Sequence, residues 1–315
     1  MTPDAGHDSD PVERDLGARM PIQFAVLASG SRGNATLVKA GQAGLLIDFG
    51  LAPRALAARL AEVGSDMGHV ASALLTHTHG DHVHPTTLRL LGVRKIPLYC
   101  HEGHRAALST RPGFRDLDAA GLVRHYDERP FLAPTGQRVE PVALSHDGGP
   151  TFGFRVEGRP ERRSRPVSAG YLADTGCWSE TVAEAMADVE VLGVEFNHDV
   201  DLTRNSGRAG YLIARNLGPR GHLSNEQGAG LVAAVLGRSS PGTVRHVVLL
   251  HLSEQCNRPN LAIERARGAV RASGRRVAVH AARQGQPFPN LLVRAGRKAR
   301  PAAGSGVAAF PWEAD

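Results

Sequence analysis

Three histidines and one aspartate stand close together in the chain, at His77, His79, Asp81 and His82. They come after the apolar run Ala71–Leu75, which is typical of a buried β-strand. Histidines at i and i+2 after a strand can direct their rings toward one ion, while the aspartate and the third histidine can reach a second. Imidazole together with carboxylate suits zinc, iron or manganese. The segment therefore predicts a metal centre.

A polar residue also stands at or near the end of four other apolar runs, at Asp48, His146, Asp174 and His251. Loops after strands often carry function, but a single histidine or aspartate in such a place is more often structural. These four residues become informative through their order along the chain, together with the histidine segment.

Apolar runs typical of strands alternate with helical segments along most of the chain. Strands are predicted at Ile22–Leu27, Ala35–Val38, Leu45–Ile47, Ala71–Leu75, Val139–Leu144, Thr151–Val156, Val167–Leu172, Val189–Val194 and Val244–Leu250. Helices are predicted at Pro53–Val63, Ser179–Ala187, Ser224–Leu236 and Leu261–Ser273. Strands in both halves, separated by helices, favour two sheets enclosed between helices.

The order of these residues resembles the five metal motifs of the metallo-β-lactamase superfamily, from about Phe24 to Ser253. Four further segments are similar to the WalJ branch, also called YycJ or VicX: Leu27–Asn34, Glu195–Asp199, Gly221–Glu226 and His251–Asn257. That branch is regarded as metal-dependent nucleases, proposed to be 5′-to-3′ exonucleases on double-stranded DNA. The resemblance implies an α/β fold, an αββα sandwich of two mixed sheets between helical layers.

The resemblance also implies roles for the candidate ligands. His77, His79 and His146 would hold one divalent ion, and Asp81, His82 and His251 a second, with Asp174 bridging; Asp48 would orient the histidine segment. The cofactor would be two Zn²⁺ or Mn²⁺ ions. Two such ions roughly 3.5–4 Å apart can share a hydroxide that attacks a phosphodiester in line.

A leaving alkoxide needs a proton, for which His222 and His198 are candidates, with Glu195 orienting one of them. The catalytic residues are then predicted to be Asp81, His222, His198 and Glu195. Phosphate contacts are predicted for Ser29, Ser31 and Asn34, although this segment also fits an ordinary tight turn. His84 departs from the branch pattern, and we interpret it as a solvated loop residue.

The balance of charge favours a polyanionic partner such as DNA, since the net charge is +6 and the pI about 9.7. Two arginine groups could contact phosphates or lie in solvent: Arg155, Arg159, Arg162, Arg163 and Arg165, and Arg204, Arg208, Arg215 and Arg220. The three cysteines match no zinc or disulfide motif, which favours the cytoplasm. No apolar run is long enough to cross a membrane. A homodimer is the default assembly.

A single domain is predicted over residues 21–297, with polar tails at 1–20 and 298–315, and either Met1 or Met20 as the start. Two other functions remain open at this point. The same metal site could hydrolyse a small ester, thioester or lactone, because one fold hosts many chemistries. Alternatively, the chain could bind nucleic acid without catalysis.

Overall fold

The computed structural model describes residues 21–158 and 166–294. Within these ranges the strands form two sheets. The first contains β1 (Ile22–Ala28), β2 (Ala35–Ala40), β3 (Ala43–Ile47), β4 (Val70–Leu74), β5 (Leu98–His101), β6 (Val123–Tyr126) and β14 (Asn290–Val293). The second contains β7 (Phe131–Leu132), β8 (Arg138–Leu144), β9 (Thr151–Glu157), β10 (Ser168–Leu172), β11 (Val191–Glu195), β12 (His246–Leu250) and β13 (Ala278–Ala281).

Helices connect the parallel strands of both sheets. They are α1 (Pro53–Glu62), α2 (Pro85–Val93), α3 (Arg105–Ser109), α4 (Phe114–Ala119), α5 (Glu180–Ala185), α6 (Val200–Arg204), α7 (Gly210–Leu217), α8 (Asn225–Arg238) and α9 (Pro259–Ala272). The predicted tails 1–20 and 298–315 lie outside the described residues. So do residues 295–297 of the predicted domain, and Arg159, Arg162, Arg163 and Arg165 of the first arginine group.

Both sheets are mixed and follow the same plan. The first has the order β14-β1-β2-β3-β4-β5-β6, with β3 to β6 parallel and β14, β1 and β2 antiparallel. The second has the order β13-β12-β11-β10-β9-β8-β7, with β10 to β13 parallel and β7 to β9 antiparallel. Parallel neighbours require crossover connections, and helices supply them. The carboxyl ends of these strands therefore meet along one edge of each sheet.

Three apolar clusters define four layers. Side chains between the two sheets include Phe24, Phe154 and Tyr171, all at most 2% exposed. The outer face of the first sheet packs on α1, α2 and α4 through residues such as Leu56. The outer face of the second packs on α5, α8 and α9 through residues such as Leu231. Each sheet thus buries both faces, and the predicted αββα sandwich of the metallo-β-lactamase fold is confirmed.

The predicted strands and helices are all present, with ends that differ by at most two residues. Ser179 and Ser224 cap α5 and α8, since each hydroxyl accepts a backbone N–H of the first turn. Sequence reasoning did not predict α2 to α4, α6, α7, β5 to β7, β13 and β14. Three of these helices have only five or six residues, too short for a repeating apolar pattern to stand out.

Candidate metal centre and active site

Strand ends from both sheets meet at one place in the molecule. Asp48 follows β3, and the histidine segment follows β4. From the second sheet, His146 follows β8, Asp174 follows β10, Glu195 ends β11 and His251 follows β12. Residues far apart in sequence are therefore brought together because both sheets present their strand ends on the same side.

Three of these residues have a left-handed backbone. The φ angle is 59° at Asp48, 58° at Asp174 and 55° at His251. A side-chain-bearing residue in this region costs on the order of 1–3 kcal/mol and persists only where the surroundings impose it. All three residues are at most 4% exposed, so tight packing holds them in this conformation. Backbone strain of this kind is concentrated at functional sites.

The first group of candidate ligands contains His77, His79 and His146, whose ligand atoms lie within 4.8 Å of one another. His146 Nε2 is 3.2 Å from His79 Nδ1. His146 Nδ1 lies 2.8 Å from the carbonyl oxygen of Gly221, which leaves Nε2 free to face the group. The Thr76 hydroxyl is 3.0 Å from His77 Nδ1, so the Nε2 atom of His77 is likewise free. Three imidazole nitrogens thus converge on one point.

The second group contains Asp81, His82, Asp174 and His251. His82 Nε2 is 2.7 Å from Asp174 Oδ2, and His251 Nδ1 is 2.6 Å from Asp174 Oδ1. Asp81 Oδ2 is 3.6 Å from the Nε2 atoms of both histidines. Asp174 also contacts the first group, because its Oδ2 atom lies 3.4 Å from His77 Nε2. Asp174 therefore stands between the two groups.

Asp48 fixes the orientation of His82. Its Oδ2 is 2.7 Å from His82 Nδ1, and its Oδ1 accepts the backbone N–H of Thr76 at 3.0 Å. The Thr76 hydroxyl lies 3.0 Å from both oxygens of the same carboxylate. Both oxygens of Asp48 are thus engaged, and the carboxylate lies behind the candidate ligands. Thr76 was not singled out in the sequence, although it directly precedes the first histidine.

Glu195, at the end of β11 in the second sheet, contacts two histidine rings in the way that Asp48 contacts His82. Its Oε1 lies 2.8 Å from His222 Nδ1 and 3.0 Å from His251 Nδ1. Its Oε2 accepts the backbone N–H groups of Thr175 at 2.9 Å and Leu223 at 3.2 Å. Glu195, His222, His251 and Asp174 also form a third close group of ligand-type residues. Because both oxygens of Glu195 are already engaged, this carboxylate serves to orient the two histidines.

The pKa shifts of the histidines differ between the two groups of candidate ligands. Burial holds the pKa of His77 well below its usual value. Burial also lowers the pKa of His82 and His251, but carboxylates outweigh it, chiefly Asp48 for His82 and Asp174 for His251, and both pKa values lie well above normal. Burial raises the pKa of Glu195, yet the charge and hydrogen bonds of His222 and His251 bring it down to about 2. The Glu195 carboxylate is therefore ionised at neutral pH, whereas burial raises the pKa of Asp48 above its usual value.

Two observations indicate that the candidate ligand atoms suit metal ions. His77 Nε2 and His251 Nε2 are buried, and neither has a hydrogen-bond partner in the described part of the chain. Asp48, Asp174 and Glu195 are each at most 1% exposed, and among the described residues no lysine or arginine forms an ion pair with them. Buried charges need compensation. Divalent cations at these atoms would supply it and would complete the coordination of both nitrogens.

Close packing around His77 depends on a glycine. A Cβ atom at Gly148 would lie 2.3 Å from His77 Cδ2, a distance that real Cβ contacts do not reach. Gly148 is in the loop after His146, so the same loop carries one ligand and makes room for another. This contact could not be predicted from the sequence, because it joins residues seventy-one positions apart.

The three residues predicted to contact phosphate differ in their exposure to solvent. Ser29 is 3% exposed, and its Oγ accepts the backbone N–H of His251 at 2.8 Å. Asn34 is fully buried, and its Nδ2 lies 3.2 Å from Asp81 Oδ2 and 3.0 Å from His82 Nε2. Ser31 is exposed. Ser29 and Asn34 thus hold ligand residues in place, and of the three only Ser31 faces solvent; their part in phosphate binding stays a prediction.

The two candidate proton donors occupy different positions. His222 is 16% exposed, and its ring lies 5.0 Å from that of His146 and 5.1 Å from that of His251. His198 is 1% exposed and belongs to none of the close ligand groups of the described residues. His84 precedes α2, where its Nδ1 lies 2.8 Å from the Thr86 hydroxyl, and it too is outside those groups.

Comparison with known proteins assigns the chain to a family. Residues 44–252 match the model of the Beta-lactamase superfamily domain. The chain is 30% identical to Exodeoxyribonuclease WalJ of Streptococcus pneumoniae serotype 2, over 76% of this chain and 85% of that protein. It is 29% identical to Exodeoxyribonuclease YycJ of Bacillus anthracis, over 77% of this chain and 87% of that protein. The chain belongs to the β-lactamase superfamily, and the predicted resemblance to the WalJ branch is confirmed.

Solved structures agree on the fold. YhfI from Bacillus subtilis, a metallo-β-lactamase fold protein, has a TM-score of 0.60 at 15% identity, covering 86% of this chain and 99% of that one. The short form of human tRNase Z has a TM-score of 0.52 at 16% identity, covering 85% of this chain and 98% of that one. The chain is a hydrolase of this fold with a cluster of potential metal ligands. No helix in the described ranges is long and apolar enough to cross a membrane.

Proposed function

We propose that this protein is a dinuclear metal-dependent phosphodiesterase that degrades DNA from an end, as a 5′-to-3′ exonuclease. The observation that carries the proposal is the pair of adjacent ligand groups with Asp174 between them. In this assignment His77, His79 and His146 hold one ion, and Asp81, His82 and His251 hold the other. Glu195 and Asp48 are left out of the ligand set because hydrogen bonds already occupy both oxygens of each.

When bound, two Zn²⁺ or Mn²⁺ ions would activate a water molecule and neutralise charge on the phosphoryl oxygens. The residues of the chain set the geometry for this chemistry. Asp48 and Thr76 fix the ring of His82, while Glu195 and Asn197 fix the ring of His251. Such partners behind the ligands determine which ring nitrogen is free to bind.

His222 is the proton donor in this proposal. Glu195 occupies its Nδ1 atom, so Nε2 is the atom that can donate to a leaving oxygen. The ring is in contact with His146 and His251 and is partly open to solvent, a position that a substrate can reach. His198 lacks that access, since it is 1% exposed. A donor must lie within hydrogen-bond reach of the group that it protonates.

DNA as the substrate is supported by the relatives named exodeoxyribonucleases and by the surroundings of the site. A cleft of about 380 Å³ adjoins His146, and its lining includes the charged or polar residues His101, Glu128 and Arg220. A small apolar substrate would instead favour a narrow apolar pocket. Arg220 is exposed and donates to the carbonyl oxygen of His146 at 3.2 Å, so a cation stands at the edge of the site.

The test is hydrolysis of end-labelled duplex and single-stranded DNA and RNA by the purified protein with Mn²⁺, Zn²⁺ or Mg²⁺, beside a thioester and lactone panel. We expect metal-dependent shortening of DNA, with loss of the 5′ label first. The double variant His79→Ala, Asp81→Ala should be inactive, whereas His84→Ala, outside the ligand groups, should retain activity. Turnover of small esters with intact nucleic acid would overturn the proposal, and metal binding with no hydrolysis would favour a binding protein.

We further propose a cytoplasmic location and a homodimer. All three cysteines are free, which suits a reducing compartment. Fractionation of cells and light scattering of the purified protein would test these two points.

A further inference from the structure

Helix α7 is unusual among the described helices because none of its residues is buried. It lies between His198 and His222 in the chain. Tyr211, at its start, is 73% exposed, although tyrosine usually buries its ring. Packing within the described residues therefore does not explain why an aromatic residue stands at this position.

The helix is tied directly to the candidate metal centre. Arg215 forms a two-pronged ion pair with Asp147, whose Oδ1 lies 3.5 Å from His146 Nε2 and 3.6 Å from His79 Nε2. At its other end, Arg208 donates to Gln255 Oε1 at 2.6 and 3.1 Å, in the loop after His251. Both ends of this segment thus join loops that carry ligands.

Tyr211 and Arg215 occupy the same side of the helix. Residues four apart on a helix lie roughly 5–6 Å from each other between Cβ atoms. Because Arg215 reaches Asp147 at the edge of the site, Tyr211 stands one helical turn away from a residue that contacts the site. Arg208 and Arg220 flank the helix along the chain and are at least partly exposed, and Arg215 on the helix is exposed although Asp147 offsets its charge.

We propose that Tyr211 stacks against a base of an unpaired strand end whose backbone enters the metal centre past Arg215. An exposed aromatic ring flanked by arginines is the arrangement with which proteins bind single strands, since every base has a face that can stack. A paired base inside a duplex does not offer that face. The inference rests on the proposed function and adds to it that the enzyme engages a frayed or single-stranded end.

The test measures each protein variant on two substrates, one with bases in its tail and one without. Binding of a 5′-tailed oligonucleotide is measured by fluorescence anisotropy without metal, and hydrolysis is measured separately with Mn²⁺. The second substrate has the same backbone with abasic sites throughout the tail. The proteins are the full chain, Tyr211→Ala, Tyr211→Phe and the control Val93→Ala, which removes an apolar side chain that is 78% exposed on α2.

We expect Tyr211→Ala to weaken binding of the normal tail about 5- to 150-fold, the effect of losing one base–aromatic stack. Tyr211→Phe and Val93→Ala should leave affinity unchanged, and Tyr211→Ala should have no effect on the abasic tail. Equal weakening on both tails, no weakening on either, or no binding by the unmodified protein would overturn the inference. Tyr211-dependent binding without hydrolysis would instead overturn the exonuclease proposal alone.

Discussion

Two regions of this molecule bury histidines, and they differ in what the ring nitrogens meet. At the candidate metal centre, His77 Nε2 and His251 Nε2 are buried without a hydrogen-bond partner among the described residues. His104, 1% exposed beside α3, uses both nitrogens: Nδ1 accepts the backbone N–H of His101 at 3.2 Å, and Nε2 donates to the Pro150 carbonyl at 2.7 Å. An unused nitrogen that faces other ligand-type atoms, rather than burial alone, therefore distinguishes a candidate ligand, since His198 Nδ1 is also buried without a partner but lies outside the ligand groups of the described residues.

The largest effect is expected from Asp174→Asn, because this carboxylate contacts both ligand groups. The change keeps the size of the side chain and removes its charge. We expect activity to fall by more than the roughly 10- to 100-fold typical of residues that only orient a ligand. Metal content per chain, measured by mass spectrometry, should fall as well. Normal metal content and activity would show that Asp174 is not a ligand common to the two groups.

Asp48→Asn and Glu195→Gln test the residues behind the ligands. Each variant should lose about 10- to 100-fold in metal affinity or activity. The two should differ in one respect, because only Glu195 also contacts His222. Glu195→Gln should therefore change the pH dependence of kcat, whereas Asp48→Asn should chiefly reduce metal affinity. Identical pH profiles would contradict the assignment of His222 as proton donor.

Gly148→Ala tests how closely the first group is packed. The added methyl would meet the His77 ring at 2.3 Å, so we expect overpacking to cost about 1–3 kcal/mol of unfolding free energy, together with weaker metal binding. Gly80→Ala is the matched control in the histidine segment, since no atom lies within 4 Å of its Cβ position. Denaturant unfolding measures both variants. Equal stability of the two would mean that His77 can move freely.

His104, the buried histidine with both ring nitrogens hydrogen-bonded, gives a prediction about acid stability. Burial lowers its pKa to about 4 from the ordinary 6.5, so the unfolded chain binds this proton more readily than the folded one. Its effect on stability is absent above about pH 6.5, and stability falls as the pH drops from there toward 4. At about pH 5.5 the loss is on the order of 1 kcal/mol.

His104→Gln should remove this part of the acid sensitivity, measured as the slope of unfolding free energy against pH. His84→Gln controls for the loss of one partly exposed histidine. If the slope of His104→Gln matches that of the unmodified protein, burial does not lower the pKa of His104 in the folded chain.

Much of the fold and of the candidate ligand set could be predicted from the sequence. Long apolar runs indicate strands whatever their partners, and His77, His79, Asp81 and His82 stand in one short segment. The contacts that hold the ligands were not predictable, because they join distant positions. Ser29 reaches His251 across 222 residues, and Arg215 reaches Asp147 across 68. A single sequence without pairing information contains no record of such contacts.

The position of Asp174 has a consequence for how the protein would be loaded. A carboxylate common to two ligand groups links them thermodynamically, because whatever the first cation does to orient it is already done when the second arrives. Linkage is reciprocal, so in the proposed dinuclear centre each ion would change the affinity for the other by the same factor. The two ions would then not bind independently, and the metal content of the protein would not follow two separate binding curves.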